Sequence, residues 1–116
     1  MVGMAASYRV ARLKGRSGEW AQKQLAALQK LSPTAMAITL EQLRRCANRS
    51  FEDSMTIEYR MAQACMRPDS DFFEGVRALL IDMDQKPRWN PPVIEAVTRS
   101  MVEEYFKPVP NELLFD

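Results

Sequence analysis

The chain contains no histidine. That absence removes Ser-His-Asp triads, Cys-His dyads, histidine-ligated metals and histidine general bases from consideration. Cysteine is scarce. Cys46 and Cys65 are the only two, and neither belongs to a CxxC pair. Without histidine they make a poor structural zinc site, so no metal site is expected. In a chain with no secretory leader they read as reduced thiols rather than a disulfide. The four glycines are scattered, so no GxxxxGK or GxGxxG loop is available to cradle a phosphate. No apolar run approaches the roughly 20 residues that cross a bilayer, which argues against a membrane span. Sustained period-2 alternation is missing too, so no sheet is predicted.

What remains is a chain of 116 residues, 47% hydrophobic and 27% charged, the proportions of one ordinary globular domain. A net charge of +1 gives no general attraction to DNA or acidic lipid. The charge is unevenly spread. Residues 1–16 carry Arg9, Arg12, Lys14 and Arg16 with no acid, so the remainder sums to −3. Such a segment reads as a weakly ordered basic lead-in to the first helix; an Arg-rich, acid-free start is also the composition of a mitochondrial transit peptide.

Residues 17–116 read as about five helices. Ser17 is a candidate N-cap for the first, in which Trp20, Ala21, Leu25, Leu28 and Leu31 form an apolar stripe. Ser32 and Pro33 restart the chain as N-cap and N1, and Met36, Leu40 and Leu43 mark a buried face. Arg44 and Arg45 complement the dipole of that helix, and Asn48 stops it. Ser50 with Asp53 opens a third helix that is apolar on two sides, as in a helix packed between neighbours. Within it Glu58 and Arg60 suggest an ion pair to another element, or a functional carboxylate with its orienter. Pro68 ends it. The fourth helix runs from Asp71, with Phe72, Val76, Leu79 and Leu80 as its buried stripe, and the glycine inside it, Gly75, implies that another backbone packs closely there. DQKPRWNPP follows as a stiff extended linker. A last short helix over about Arg99–Phe106 is capped by Thr98, and the tail ends on Leu113, Leu114 and Phe115.

Several of these stretches carry a resemblance. Ser32, Pro33 and Thr34 with ITLEQL, then Glu58-Tyr59-Arg60, then Gln63 to Arg67, and above all Asp71 to Asp82 continuing through Asp84, Pro87 and Trp89, look like the C-terminal region of the 3-hydroxyisobutyryl-CoA hydrolases. These belong to the crotonase (enoyl-CoA hydratase/isomerase) superfamily. The likeness runs from about Gly18 to Phe115 and rests most on EGVRA, the acidic helix end and Pro-x-Trp. It implies an all-α piece of a crotonase-like fold without the α/β spiral core. In the family that core supplies the acyl-CoA site, the oxyanion hole and the catalytic carboxylates, so the resemblance places no catalytic residue here. It makes Lys86, Arg88 and Trp89 the candidates for a contact to coenzyme A, by phosphate pairing and adenine stacking; otherwise Trp89 plugs the core while the two bases face solvent. Many relatives have lysine where this chain has Met83, so one basic contact of that kind is lost.

Two functions are then to be weighed. The first is part of a 3-hydroxyisobutyryl-CoA hydrolase, inactive alone, docking on the core or a neighbouring subunit and meeting an acyl-CoA only with that core. It needs no cofactor beyond the coenzyme A of its substrate. Its compartment would be the mitochondrial matrix in a eukaryote and the cytoplasm in a bacterium. The second is a non-catalytic hydrolase-derived module for assembly or partner binding, such as a subunit of a mitochondrial ribosome. The basic N-terminal arm is the feature that favours it.

Overall fold

Three hydroxyls set the helix starts. In the computed structural model, which describes residues 2–116, Ser32 Oγ accepts from the Ala35 amide at 3.1 Å, Ser50 Oγ from Asp53 at 3.1 Å and Thr98 Oγ1 from Met101 at 3.3 Å. Each satisfies an amide that the first turn leaves without a partner. The elements so begun are α3 (Pro33–Cys46), α4 (Phe51–Cys65) and α6 (Arg99–Glu103). Before them come α1 (Val2–Lys14) and α2 (Glu19–Leu28); between them lies α5 (Asp71–Val76), which runs on as a π-helical turn over Arg77–Ile81. A 3-10 turn spans Ile94–Ala96, and no described residue lies in a strand. Asn48 adopts the left-handed conformation (φ 62°) just past α3 and turns the chain, a role its side chain tolerates.

The segment expected as a weakly ordered lead-in is a helix. Ala6 and Val10 of α1 are buried, and α1 packs against α2, α3 and the 3-10 turn. Arg9, Arg12 and Lys14 line its solvent side, with Arg16 just past its end, which let composition mask a small apolar stripe. One helix more than the expected five results. The N-cap of α2 is Gly18 rather than Ser17, in extended geometry and without a side-chain cap.

The core is small. Ala6, Ala37, Ile38, Ile94, Val97, Val102 and Phe106 form it, and Val102 is the largest side chain buried completely. Met36, Leu40, Ile57, Met61, Cys65 and Tyr105 pack around it half-exposed. Arg45 fastens α3 to α6: it pairs with Glu41 at 2.8 Å and Glu103 at 2.6 Å, and its guanidinium lies over the Phe106 ring at 4.4 Å. The ion pair expected between α4 and another element is Arg60 with Glu112 of the tail, at 2.7 Å. Cys46 and Cys65 are both free thiols.

Several expected buried stripes are shifted or open. In α3 the buried face is Thr34, Ala37, Ile38 and Glu41, while Leu43 is 66% exposed. In α2 Ala21 and Leu25 are buried but Trp20 and Leu31 are not. In α5 and the π turn Phe72, Leu79, Leu80 and Ile81 are each half-exposed or more, and only Ala78 is buried. The periodicity located apolar faces correctly as apolar; these faces have nothing packed over them in this chain.

Surface area measures the result. The chain exposes 8217 Å², against about 6,450 Å² for a folded monomer of its mass. Its radius of gyration is 15.6 Å, where a compact chain of this length has about 13 Å. The excess of roughly 1,800 Å² is of the size one partner buries in an obligate protein interface.

Candidate functional site

The stretch from Asp71 to Asn90 is tied together by carboxylates. Arg77, at the start of the π turn, is the hub. Its Nε and Nη2 meet both oxygens of Glu74 at 2.8 and 2.7 Å, and its Nη1 meets Asp82 at 2.7 Å and Asp84 at 2.9 Å. Nη2 also donates to the Lys86 carbonyl at 3.3 Å. One planar guanidinium with five donors is suited to hold three acids and a carbonyl at once; lysine's single ammonium is not.

The carboxylates in turn hold the backbone of the segment after the helix. Asp84 Oδ1 accepts from the Lys86 amide at 2.8 Å, Glu74 Oε1 from Arg88 at 2.8 Å and Asp71 Oδ1 from Asn90 at 3.0 Å. The Ala78 carbonyl accepts from the Gln85 amide at 3.1 Å. Asp71 also takes the Ser32 hydroxyl at 2.5 Å, so the N-termini of α3 and α5 share one carboxylate. Met83 and Gln85 reach this path with φ of 52° and 58°, the left-handed region that side chains other than Gly, Asn and Asp seldom adopt. The Arg77 guanidinium, then the Arg88 amide, hold the Glu74 carboxyl down at about 2, and Arg77 and the Lys86 amide likewise lower that of Asp84. The three acids raise Arg77 in return.

Between residues 86 and 90 exposure alternates: Lys86, Arg88 and Asn90 face solvent, while Pro87 and Trp89 are half-buried. That is the alternation of an extended chain laid on a surface. Trp89 is fixed at two points. Its Nε1 donates to the Lys30 carbonyl at 3.1 Å, and its six-membered ring stands 3.4 Å from where a Cβ on Gly75 would lie, an ordinary van der Waals distance. The neighbour that the helical glycine faces is therefore an indole and not another backbone. The structure brings Lys86, Arg88 and Trp89 onto one short segment; the side chains of Lys86 and Arg88 make no hydrogen bond or ion pair among the described residues.

Behind this segment lies an open apolar groove of about 1370 Å³. Val10, Leu28, Met36, Leu40, Leu79 and Tyr105 are among the residues that line it. Among the described residues no cluster of Cys, Asp or Glu has the makings of a metal site, and no helix is long and apolar enough to cross a membrane. Sequence reasoning had the motif residues of this region but missed Arg77 as their hub. The signal was present: an arginine three residues after Glu74 and followed by Asp82 and Asp84.

Residues 5–106 match the profile of the enoyl-CoA hydratase/isomerase family. The chain belongs to that family. Within the enoyl-CoA hydratase/isomerase proteins it is 51% identical over 102 residues to the mitochondrial 3-hydroxyisobutyryl-CoA hydrolase of Gallus gallus, covering 88% of this chain and 26% of that protein. To the human mitochondrial 3-hydroxyisobutyryl-CoA hydrolase it is 43% identical over 95 residues, covering 82% of this chain and 24% of that protein. Among solved structures it superimposes on an enoyl-CoA hydratase from Rhodobacter sphaeroides with a TM-score of 0.86 and 35% identity, covering 95% of this chain and 33% of that one. The chain thus spans about a quarter of the length of these hydrolases, and it is a helical part of the crotonase fold. The match begins at residue 5, so all but the first three residues of the basic helix α1 lie inside it.

Proposed function

We propose that this chain is the C-terminal helical part of a 3-hydroxyisobutyryl-CoA hydrolase, an enzyme that splits an acyl-CoA thioester in valine breakdown into 3-hydroxyisobutyrate and coenzyme A. The observation that carries the reading is 51% identity over 88% of the chain to such a hydrolase, of which it spans only 26%. The roughly 1,800 Å² of surplus surface supports it, since a piece of a larger body exposes the faces by which it packs there.

The chain's own carboxylates are not placed for the chemistry. A general base has a pKa near the working pH and a lone pair free for the proton. Glu74 is held at about 2 and is committed to Arg77 and the Arg88 amide. Asp82 and Asp84 are bound to the same guanidinium. These three acids are therefore not the base for attack on the thioester, which we assign to the part of the hydrolase that this chain does not span. The part taken by this chain is to hold the coenzyme: Lys86 and Arg88 pair with its phosphates, and the anchored Trp89 stacks on its adenine. The mitochondrial relatives support a place in the mitochondrial matrix for a eukaryotic chain, and a bacterial one would work in the cytoplasm.

The alternative of a non-catalytic assembly module leaned on the basic N-terminal arm. That arm forms a helix packed on α2 and α3 and lies, from residue 5 on, within the family match, so it is not a feature set apart from the family. The decisive experiment replaces the matching quarter of the chicken hydrolase with this chain and assays 3-hydroxyisobutyryl-CoA hydrolysis. The chimera is expected to turn over substrate, while the 116 residues alone give no rate above buffer. Turnover by the chain alone, or a soluble chimera without activity, overturns the proposal.

A further inference from the structure

We infer that Arg77 is the positioning residue of the coenzyme-facing segment: it holds Lys86 and Arg88 in place without touching the ligand itself. This rests on the reading of that segment as the coenzyme A contact. The segment has little burial to define its path, because Lys86, Arg88 and Asn90 face solvent and only Pro87 and Trp89 are half-covered. Its geometry comes instead from hydrogen bonds to acids, and Arg77 sets those acids. Glu74 holds the Arg88 amide and Asp84 the Lys86 amide, while Arg77 grips both carboxylates and the Lys86 carbonyl. The two cations that carry the charge for a phosphate are thus each one hydrogen bond away from a carboxylate fixed by the same guanidinium.

The arrangement also lessens an electrostatic difficulty. Asp71, Glu74, Asp82 and Asp84 would repel a polyanion near Lys86 and Arg88. Glu74, Asp82 and Asp84 share the Arg77 charge, and Asp71 takes the Ser32 hydroxyl and the Asn90 amide. Without Arg77 three carboxylates lose their counter-charge and two backbone anchors lose their support. Affinity then falls in proportion to the time the segment spends in its binding geometry, about tenfold if that time drops to one tenth.

The test uses the full 116-residue chain with coenzyme A as probe. Amide NMR shifts of residues 84–90 report binding, their heteronuclear NOEs report order, and circular dichroism reports helix content. Arg77→Met is expected to lower the NOEs of 84–90 and weaken coenzyme A about tenfold; Arg77→Lys restores part of the loss, and Asp84→Asn gives a smaller one. Arg77→Met with unchanged NOEs and affinity overturns the positioning role; should that variant lose its helical signal, an Asp84→Asn chain with unchanged NOEs and affinity overturns it. Coenzyme A that moves no amide of 84–90 in either the unsubstituted chain or its chimera with the hydrolase core sinks the coenzyme A reading, while the NOEs of Arg77→Met still decide the positioning role.

Discussion

At the scale of single residues, the chain spends its charge on fastening. Glu74 is the clearest case, because the Arg77 guanidinium and the Arg88 amide bring its carboxyl from the ordinary 4.5 to about 2. A carboxyl held lower in the folded chain than in the unfolded one stabilises the fold while both are ionised, and that contribution fades as the pH falls through the folded value. It is present in full above about pH 4.5 and is lost by about pH 2. Glu74→Gln is accordingly expected to lower the urea midpoint at pH 6, with the gap to the unsubstituted chain closing between pH 4.5 and 2. A gap independent of pH would mean that the ion pair contributes nothing. Gly75 shows what residue-level reading catches and what it misses. That a glycine within a helix implies close approach was legible; that the neighbour is the Trp89 ring, fourteen positions later by sequence number, depends on a chain reversal that no local pattern encodes.

At the scale of elements, the starts of α3, α4 and α6 were legible, those of α1 and α2 were not, and neither were the faces. Ser32, Ser50 and Thr98 cap because a hydroxyl before a helical run has a local partner two or three residues on, and Asn48 stops α3 for an equally local reason. Which face of α3 is buried is a tertiary matter: Ala37 and Ile38 lie where α1 and α6 pack, Leu40 sits at the edge of that contact and Leu43 is outside it. The lead-in was misread because four cations outweighed a stripe as slight as Ala6 and Val10. Ser32 joins two elements, capping α3 and donating to Asp71 at the head of α5. Ser32→Ala removes both bonds and leaves Asp71 short of a donor, so thermal unfolding should show a loss of about 1–2 kcal/mol. Ser32→Thr, which retains the hydroxyl, should recover most of it. A loss as large for Ser17→Ala would contradict the assignment, because the cap position before α2 is Gly18 and uses no side chain.

At the scale of the molecule, the apolar surface is more than its own core can use. Leu79, Leu80 and Ile81 are 54%, 73% and 68% exposed on one continuous turn, and with Phe72 they exceed what scattered surface residues account for. In the isolated chain, Leu80→Lys is expected to leave the unfolding midpoint within about 0.5 kcal/mol, as for a surface position. The same change should reduce self-association measured by sedimentation velocity and lower the binding of a hydrophobic dye. A large loss of stability would show that this face is already covered. The composition of this turn was readable in the sequence; its exposure was not, since a periodic stripe says that something packs there and never which chain supplies it.

The long spans of its fastenings give the fold an order of events. Ser32 meets Asp71 across 39 residues, Trp89 meets Lys30 across 59, and Arg45 meets Glu103 across 58. Helices of this kind form from neighbours in sequence, whereas each fastening must first gather a long stretch of chain. Helical content should therefore arrive early and the closed segment late, and the segment that arrives last is the one that carries Lys86 and Arg88.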